Sequence, residues 1–161
     1  MSKPKFKTCW KSEDAVIQRD TLKFWREENL IPEIADAAKR LKNICVVAYD
    51  DTRVVAALEA RVRHLEIVRS TIAMLALAVR TDHRTGTLVN DIIVLGREVL
   101  EQWSLENPQE KLMGIGRIVP SRNADERKRY PVWEPSKLTL IGFTATGAQI
   151  RVAWFKHATV S

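Results

Sequence analysis

The chain is expected to form an α/β (α+β) domain, with a mixed, mainly antiparallel central sheet of six to seven strands flanked by about four helices. Three observations predict this. Strand-like and helix-like segments follow one another without a regular βαβ alternation, yet both periods are present throughout. An apolar run at 71–80 passes through a polar turn into a long apolar helix, a strand–turn–helix junction. Finally, 161 residues at 45% hydrophobic content suffice for one real core, so residues 1–161 are expected to form a single domain.

The elements follow in order. Phe6–Lys11 alternates weakly and suits a short strand. Ser12 is a candidate N-cap, with Glu13 and Asp14 in the first turn where a helix dipole favours anions. Ile17, Thr21, Phe24 and Trp25 recur at helical spacing, which predicts a helix to about Glu28. Pro32 suits the first position of a second helix, whose apolar face is Ile34, Ala38 and Leu41. Ile44–Tyr49 reads as an apolar strand, and Asp50–Asp51 as the turn into a long strand from Arg53. One face of that strand is apolar throughout. The other changes from Val55 and Ala57 to Glu59, Arg61 and Arg63, so the strand should leave the covered part of the sheet as it proceeds. Thr71–Arg80 is apolar on both faces and should be central, covered on both sides.

Leu88, Ile92, Leu95, Val99 and Trp103 form a continuous stripe, widened by Val89, Ile93 and Leu100, which predicts a largely buried helix. Lys111–Val119 reads as a strand containing Gly114 and Gly116. Residues 120–136 are polar with three prolines and are expected to be irregular or briefly helical. The segment from Lys137 to Phe155 reads as a hairpin turning at Thr146–Gly147.

Composition excludes more than it selects. Two cysteines, Cys9 and Cys45, without a CxxC or Cys/His cluster, argue against a disulfide scaffold or a metal site. Cys45 lies in a strand-like run and should be a small buried hydrophobe. No apolar run is long enough to span a membrane, and the basic N-terminus lacks the apolar core of a signal peptide, so a cytoplasmic setting is expected. The net charge of +6 suits an anionic partner such as nucleic acid or a nucleotide. The basic residues are scattered and form no recognisable nucleic-acid motif, which argues against the former.

The junction carries the chemical signal. A helix that opens directly after a strand and turn presents free backbone N–H groups and a positive dipole end to a phosphate. In this setting the segment Leu75–Ile93 resembles the GNAT acyltransferase superfamily. Its members read as a strand ending in L-x-V-x-P, two further residues, then R-x-x-G-x-G/A at the start of a long helix. Leu77 and Val79 match the strand end, Thr81 stands at the proline, and Arg84 takes the arginine place. The two small residues fall on Thr87 and Val89, while Leu88 and Ile92 match apolar helix positions. The element order resembles the family over nearly the whole chain. Gly142–Phe143 resembles the glycine–phenylalanine pair of its penultimate strand, and Asn123, Ala124 and Tyr130 resemble a series that precedes it.

The resemblance implies a GNAT-like fold and transfer of an acyl group from acetyl-CoA or another acyl-CoA to an amine. It implies that backbone groups of Leu77 and Val79 bind the pantetheine arm. Arg84, Thr85, Gly86, Thr87, Leu88 and Val89 would cradle the pyrophosphate. Glycines serve such a turn by adopting positive φ and admitting the anion closely; β-branched Thr87 and Val89 would be strained there, which weakens diphosphate binding. The family often uses a strand carboxylate as base and a tyrosine as acid. Thr71–Val79 holds no carboxylate, so Glu59, set among apolar residues on the preceding strand, is the candidate base, and Tyr130 the candidate acid. For Glu59 the competing reading is an ion pair with an arginine.

The acceptor would be an amine on a small molecule or a protein. Two other functions fit the residues: a degenerate member acting as an interaction or regulatory module, and a basic nucleic-acid-binding protein. The apolar terminal hairpin permits a homodimer.

Overall fold

Asp14, rather than Ser12, starts the first helix. Its carboxylate accepts from the N–H groups of Val16 and Ile17 at 3.0 and 3.1 Å, which satisfies two donors that the helix itself cannot. The Ser12 hydroxyl instead donates to the Cys9 carbonyl. The computed structural model describes residues 3–30, 34–123 and 126–158, with backbone only for residues 34 and 35. The expected helix start at Pro32, and Ala124, lie outside the described residues.

In chain order the elements are β1 (Lys5–Thr8), α1 (Ala15–Glu27), α2 (Ile34–Leu41), β2 (Ile44–Asp50), β3 (Arg53–Leu65), β4 (Ser70–Val79), α3 (Gly86–Glu106), β5 (Leu112–Val119), β6 (Val132–Trp133), β7 (Leu138–Phe143) and β8 (Gln149–Trp154). One sheet of eight strands runs in the order β1-β2-β3-β4-β5-β8-β7-β6. β4 and β5 pair parallel, and the ladders β1–β2, β2–β3, β5–β8, β6–β7 and β7–β8 are antiparallel. The mixed sheet is therefore as expected, with small differences in count. The extra strand is β6, two residues within a stretch expected to be irregular, and three α-helices are present among the described residues. Glu126–Arg129 forms only a 3-10 turn.

The chain divides into two compact units, residues 1–60 with 76–99, and residues 61–75 with 100–161. In the first unit, Phe24 and Trp25 of α1 are fully buried in one cluster with Ile44, Val47, Tyr49 and Ala57. The next residue of β3, Leu58, points to the other face, where it meets α3 at Gly96. Cys45 is fully buried beside the same helix, its thiol 3.9 Å from the Gly96 carbonyl. Val54–Ala60 of β3 are buried and the residues beyond are more open, matching the expected change of face.

Two expectations need correction. β4 is not covered along its whole length: Ile72, Ala73 and Leu75 are buried, Ala76 is exposed and Leu77–Val79 are half-buried. Its ladder with β5 runs only from Thr71–Leu112 to Met74–Gly116. On α3, Leu88, Val89, Ile92, Ile93 and Leu100 are buried, but Leu95, Val99 and Trp103 are half-buried. The small residues Gly96 and Ser104 occupy the most buried line instead, because a small side chain lets the helix approach its neighbours closely.

In the second unit, the β7–β8 hairpin turns through Thr144–Gly147, as expected. The Gly147 N–H donates to the Thr144 carbonyl at 3.0 Å, and Gly147 has φ +85°, which a glycine adopts freely. Arg151 of β8 is fully buried. It donates to the carbonyls of Lys128 and Tyr130 and to Gln149, and stacks 4.0 Å from the Trp133 ring centroid. This buried guanidinium gathers residues 128–133, part of a polar stretch whose sequence shows no period.

Candidate functional site

The end of β4 and the start of α3 are joined by a 3-10 turn, Thr81–His83. The Arg80 N–H donates to the Val55 carbonyl of β3 at 2.8 Å. Backbone groups alternate sides along a strand, so those of Val79 and Leu77 face away from β3. The Arg80 side chain is buried and donates to the Val54 carbonyl at 2.8 Å and to Glu27 at 3.2 Å. The strand end is thus pinned from one side and open to hydrogen bonding on the other.

Thr85 caps α3. Its hydroxyl accepts from the Leu88 N–H at 3.2 Å, and its carbonyl accepts from the Val89 N–H at 3.1 Å. The N–H groups of Gly86 and Thr87 precede that first helical bond and point out of the helix end. Arg84, Thr85, Gly86 and Thr87 are exposed, whereas Leu88 and Val89 are buried. The six turn residues therefore divide by role. Arg84 to Thr87 can meet an anion, while Leu88 and Val89 anchor the helix. Among the described residues the positive-φ positions are Lys11, Asn29, Asp51, Arg69, Lys111, Lys137 and Gly147, none of them in this turn. The strain expected at Thr87 and Val89 is thus absent, because the helix already begins at Gly86 and both residues are helical.

A cavity of about 200 Å³ lies beside the turn, lined by Phe6, His83, Thr85, Thr87, Leu88 and Asp91 among others. His83 of the 3-10 turn is buried there. Its Nδ1 lies 2.8 Å from Asp82 and its Nε2 lies 2.9 Å from Asp50. Hydrogen bonds to Asp50 and Asp82 raise the His83 pKa above its usual value, and the bond to His83 holds Asp82 below the usual carboxylate range. The sequence signalled only the adjacent Asp82; Asp50 is 33 residues away. Because the two carboxylates sit on opposite ring nitrogens, the three residues do not converge on one point. Among the described residues no group of three or more His, Cys, Asp or Glu is placed to hold a metal ion.

Glu59 is buried, and both its oxygens are bound by Arg40 of α2, Nε to Oε1 at 3.1 Å and Nη2 to Oε2 at 2.8 Å. Arg40 also donates to the Leu30 carbonyl and lies 4.2 Å from the Trp25 ring centroid. This matches the ion-pair reading of Glu59, in a buried rather than a solvent-facing position. Tyr130 lies in the second unit and is half-exposed, its hydroxyl accepting from Arg129 at 3.1 Å. Also in that unit, the Ser104 hydroxyl donates to the Leu112 carbonyl at 2.6 Å and meets His157 Nε2 at 2.9 Å. With its proton committed to the carbonyl, Ser104 is a structural hydroxyl rather than a nucleophile. Gly142 lies on β7 beside a register shift, with Ile67 over it. No helix among the described residues is long and apolar enough to cross a membrane.

No family model matches the chain, and no curated protein does. Solved structures do. A GNAT-family acetyltransferase from Streptococcus pneumoniae superposes with a TM-score of 0.63 at 10% identity, over 95% of this chain and 99% of that one. A phosphinothricin acetyltransferase of the GNAT superfamily from Sinorhizobium meliloti, in complex with acetyl-CoA, gives 0.63 at 12% identity, over 99% and 92%. A putative acetyltransferase from Salmonella typhimurium, with its cofactor acetyl-CoA, gives 0.53 at 14% identity, over 99% and 98%. The chain thus superposes on these structures along nearly its entire length, and its fold is that of the GNAT acetyltransferases.

Proposed function

We propose that the chain is an acyl-CoA-dependent N-acyltransferase that transfers an acyl group, with acetyl as the first to test, to an amine. The observation that carries this reading is the Thr85-capped start of α3 directly beyond β4. There the Gly86 and Thr87 N–H groups and the exposed Arg84 form an anion-binding end. The GNAT-fold neighbours crystallised with acetyl-CoA support the same ligand. In this reading the outward backbone groups of Leu77 and Val79 pair with the pantetheine amides, as an added strand would. Arg84 and the first-turn N–H groups hold the diphosphate, and Thr87 adds a hydroxyl donor. Such positioning places a thioester where an amine can attack, which supplies much of the rate in a two-substrate transfer.

The amine must lose a proton and the departing thiolate must gain one. Tyr130 is the proposed acid. Glu59 is poorly suited to be the base, because both of its oxygens already accept from Arg40. Water is therefore the proposed proton acceptor. That occupied carboxylate is also what favours the second reading, a GNAT-fold module that binds acyl-CoA or a partner without turnover.

Calorimetry with acetyl-CoA, followed by thiol release over a panel of small amines and peptide N-termini, tests both. A ligand at 100 times its dissociation constant stabilises the fold by about 2.7 kcal/mol. Binding with turnover supports the enzyme. Binding without turnover on any amine favours the module, and no binding of acetyl-CoA or a longer acyl-CoA removes the enzyme and leaves only a module that binds a partner.

A further inference from the structure

We propose that His83 is a positioning residue for the anion-binding turn: held as an imidazolium between Asp50 and Asp82, it latches the start of α3 to the end of β2. The proposal rests on the acyl-CoA reading for its ligand, and on geometry for the latch. Both ring nitrogens face a carboxylate oxygen, at 2.8 and 2.9 Å. An ionised carboxylate only accepts hydrogen bonds, and a neutral imidazole has one N–H, so both contacts are satisfied only when both nitrogens carry protons. The turn then hangs from two struts. The Arg80 N–H ties it to Val55 of β3, and the His83 ring ties it to Asp50 of β2. The anion-binding residues Arg84 to Thr87 follow immediately, so the second strut sets the direction in which α3 begins.

The charged groups around the ring all act on this state. Asp50 at the end of β2 and Asp82 in the turn favour the imidazolium, and Arg53 at the start of β3 lies 4.0 Å from Asp82 and partly offsets it. Asp91 of α3 and Lys3, before β1, line the same cavity, with opposite effects. The ring is 9% exposed, so that cavity is its route to solvent. The two hydrogen-bonded aspartates outweigh burial and raise the pKa of His83. The native state therefore holds the proton more tightly than the unfolded chain. The latch is complete below the ordinary histidine value of about 6.5, and is released as pH rises through the higher native value.

The test follows the His83 ring protons by NMR from pH 5 to 9, with and without acetyl-CoA, alongside amide exchange of Leu88 and Val89 and calorimetric affinity over the same range. His83 should lose its proton above the ordinary range, and in Asp50→Asn it should do so at lower pH. Exchange protection at Leu88 and Val89, whose N–H groups bond to Thr85, should fall across that window. Acetyl-CoA affinity should fall roughly fivefold or more in the wild type and stay level in His83→Gln, and by reciprocity acetyl-CoA should raise the pH at which His83 deprotonates. A His83 that titrates at the ordinary value, or equal pH profiles in the wild type and His83→Gln, overturns the proposal. If acetyl-CoA binds at no pH, the acyltransferase reading is what fails. The titration and exchange data on the unmodified chain then decide the latch, and unchanged protection across the titration refutes it.

Discussion

Arg40 grips both carboxylate oxygens of Glu59, joining α2 to β3 through a two-pronged, mostly buried ion pair. Such a fork is specific in geometry, and the Glu59 hydrogen bond raises the Arg40 pKa still further above its usual value. Removing one partner leaves the other charge under-satisfied. Glu59→Ala should therefore lower stability by about 3 kcal/mol in urea denaturation, near the bottom of the range for buried pairs because Arg40 keeps some solvent and its Leu30 bond. Glu59→Gln separates this role from catalysis. Its turnover at saturating substrate should stay near wild type, whereas loss of a general base would cost roughly 100-fold or more.

Thr87 offers a test in which stability and binding move in opposite directions. It is exposed in the first turn of α3, where a carboxylate interacts favourably with the helix dipole. Thr87→Glu should raise stability by about 0.5 kcal/mol. The same charge repels a diphosphate, so acetyl-CoA affinity should fall at least tenfold, about 1.4 kcal/mol. Equal affinity in calorimetry would place the diphosphate away from this helix end.

Gly114 is required by the closeness of two strands. A Cβ built there would lie 2.5 Å from the Ala153 carbonyl oxygen, a backbone atom that cannot rotate away. Gly114 pairs with Trp154 across the β5–β8 ladder. Gly114→Ala should cost about 3 kcal/mol, the upper end for an overpacked site, measured by denaturant midpoint.

Both thiols should be silent in the native protein. Burial, with a smaller contribution from Asp14, pushes the Cys9 thiol up to about 12, and burial also pushes the Cys45 thiol up. The thiolate is the reactive form, so a thiol reagent at pH 8 should label neither cysteine until the chain unfolds, and both afterwards. Labelling of the folded protein at a rate independent of unfolding would show that one of these sites opens.

The sequence by itself determined the elements and the junction. Helix period placed α1 and α3, the Thr146–Gly147 signal placed the last hairpin, and the run from an apolar strand through Arg84 into Leu88 located the strand–turn–helix junction. These signals are legible because a cap, a turn or a periodic face depends on residues only a few positions apart. Even there, the sequence pointed to Ser12 as the first cap with Asp14 inside the first turn, and the backbone path made Asp14 the cap instead. The tertiary structure alone decided which side chains meet. Glu59 acquired Arg40 from 19 residues upstream, and His83 acquired Asp50 from 33 upstream. Arg151 gathered the carbonyls that organise an aperiodic loop. Those partnerships depend on strand order and register. Both arise from burying the whole core at once, and no local pattern records them.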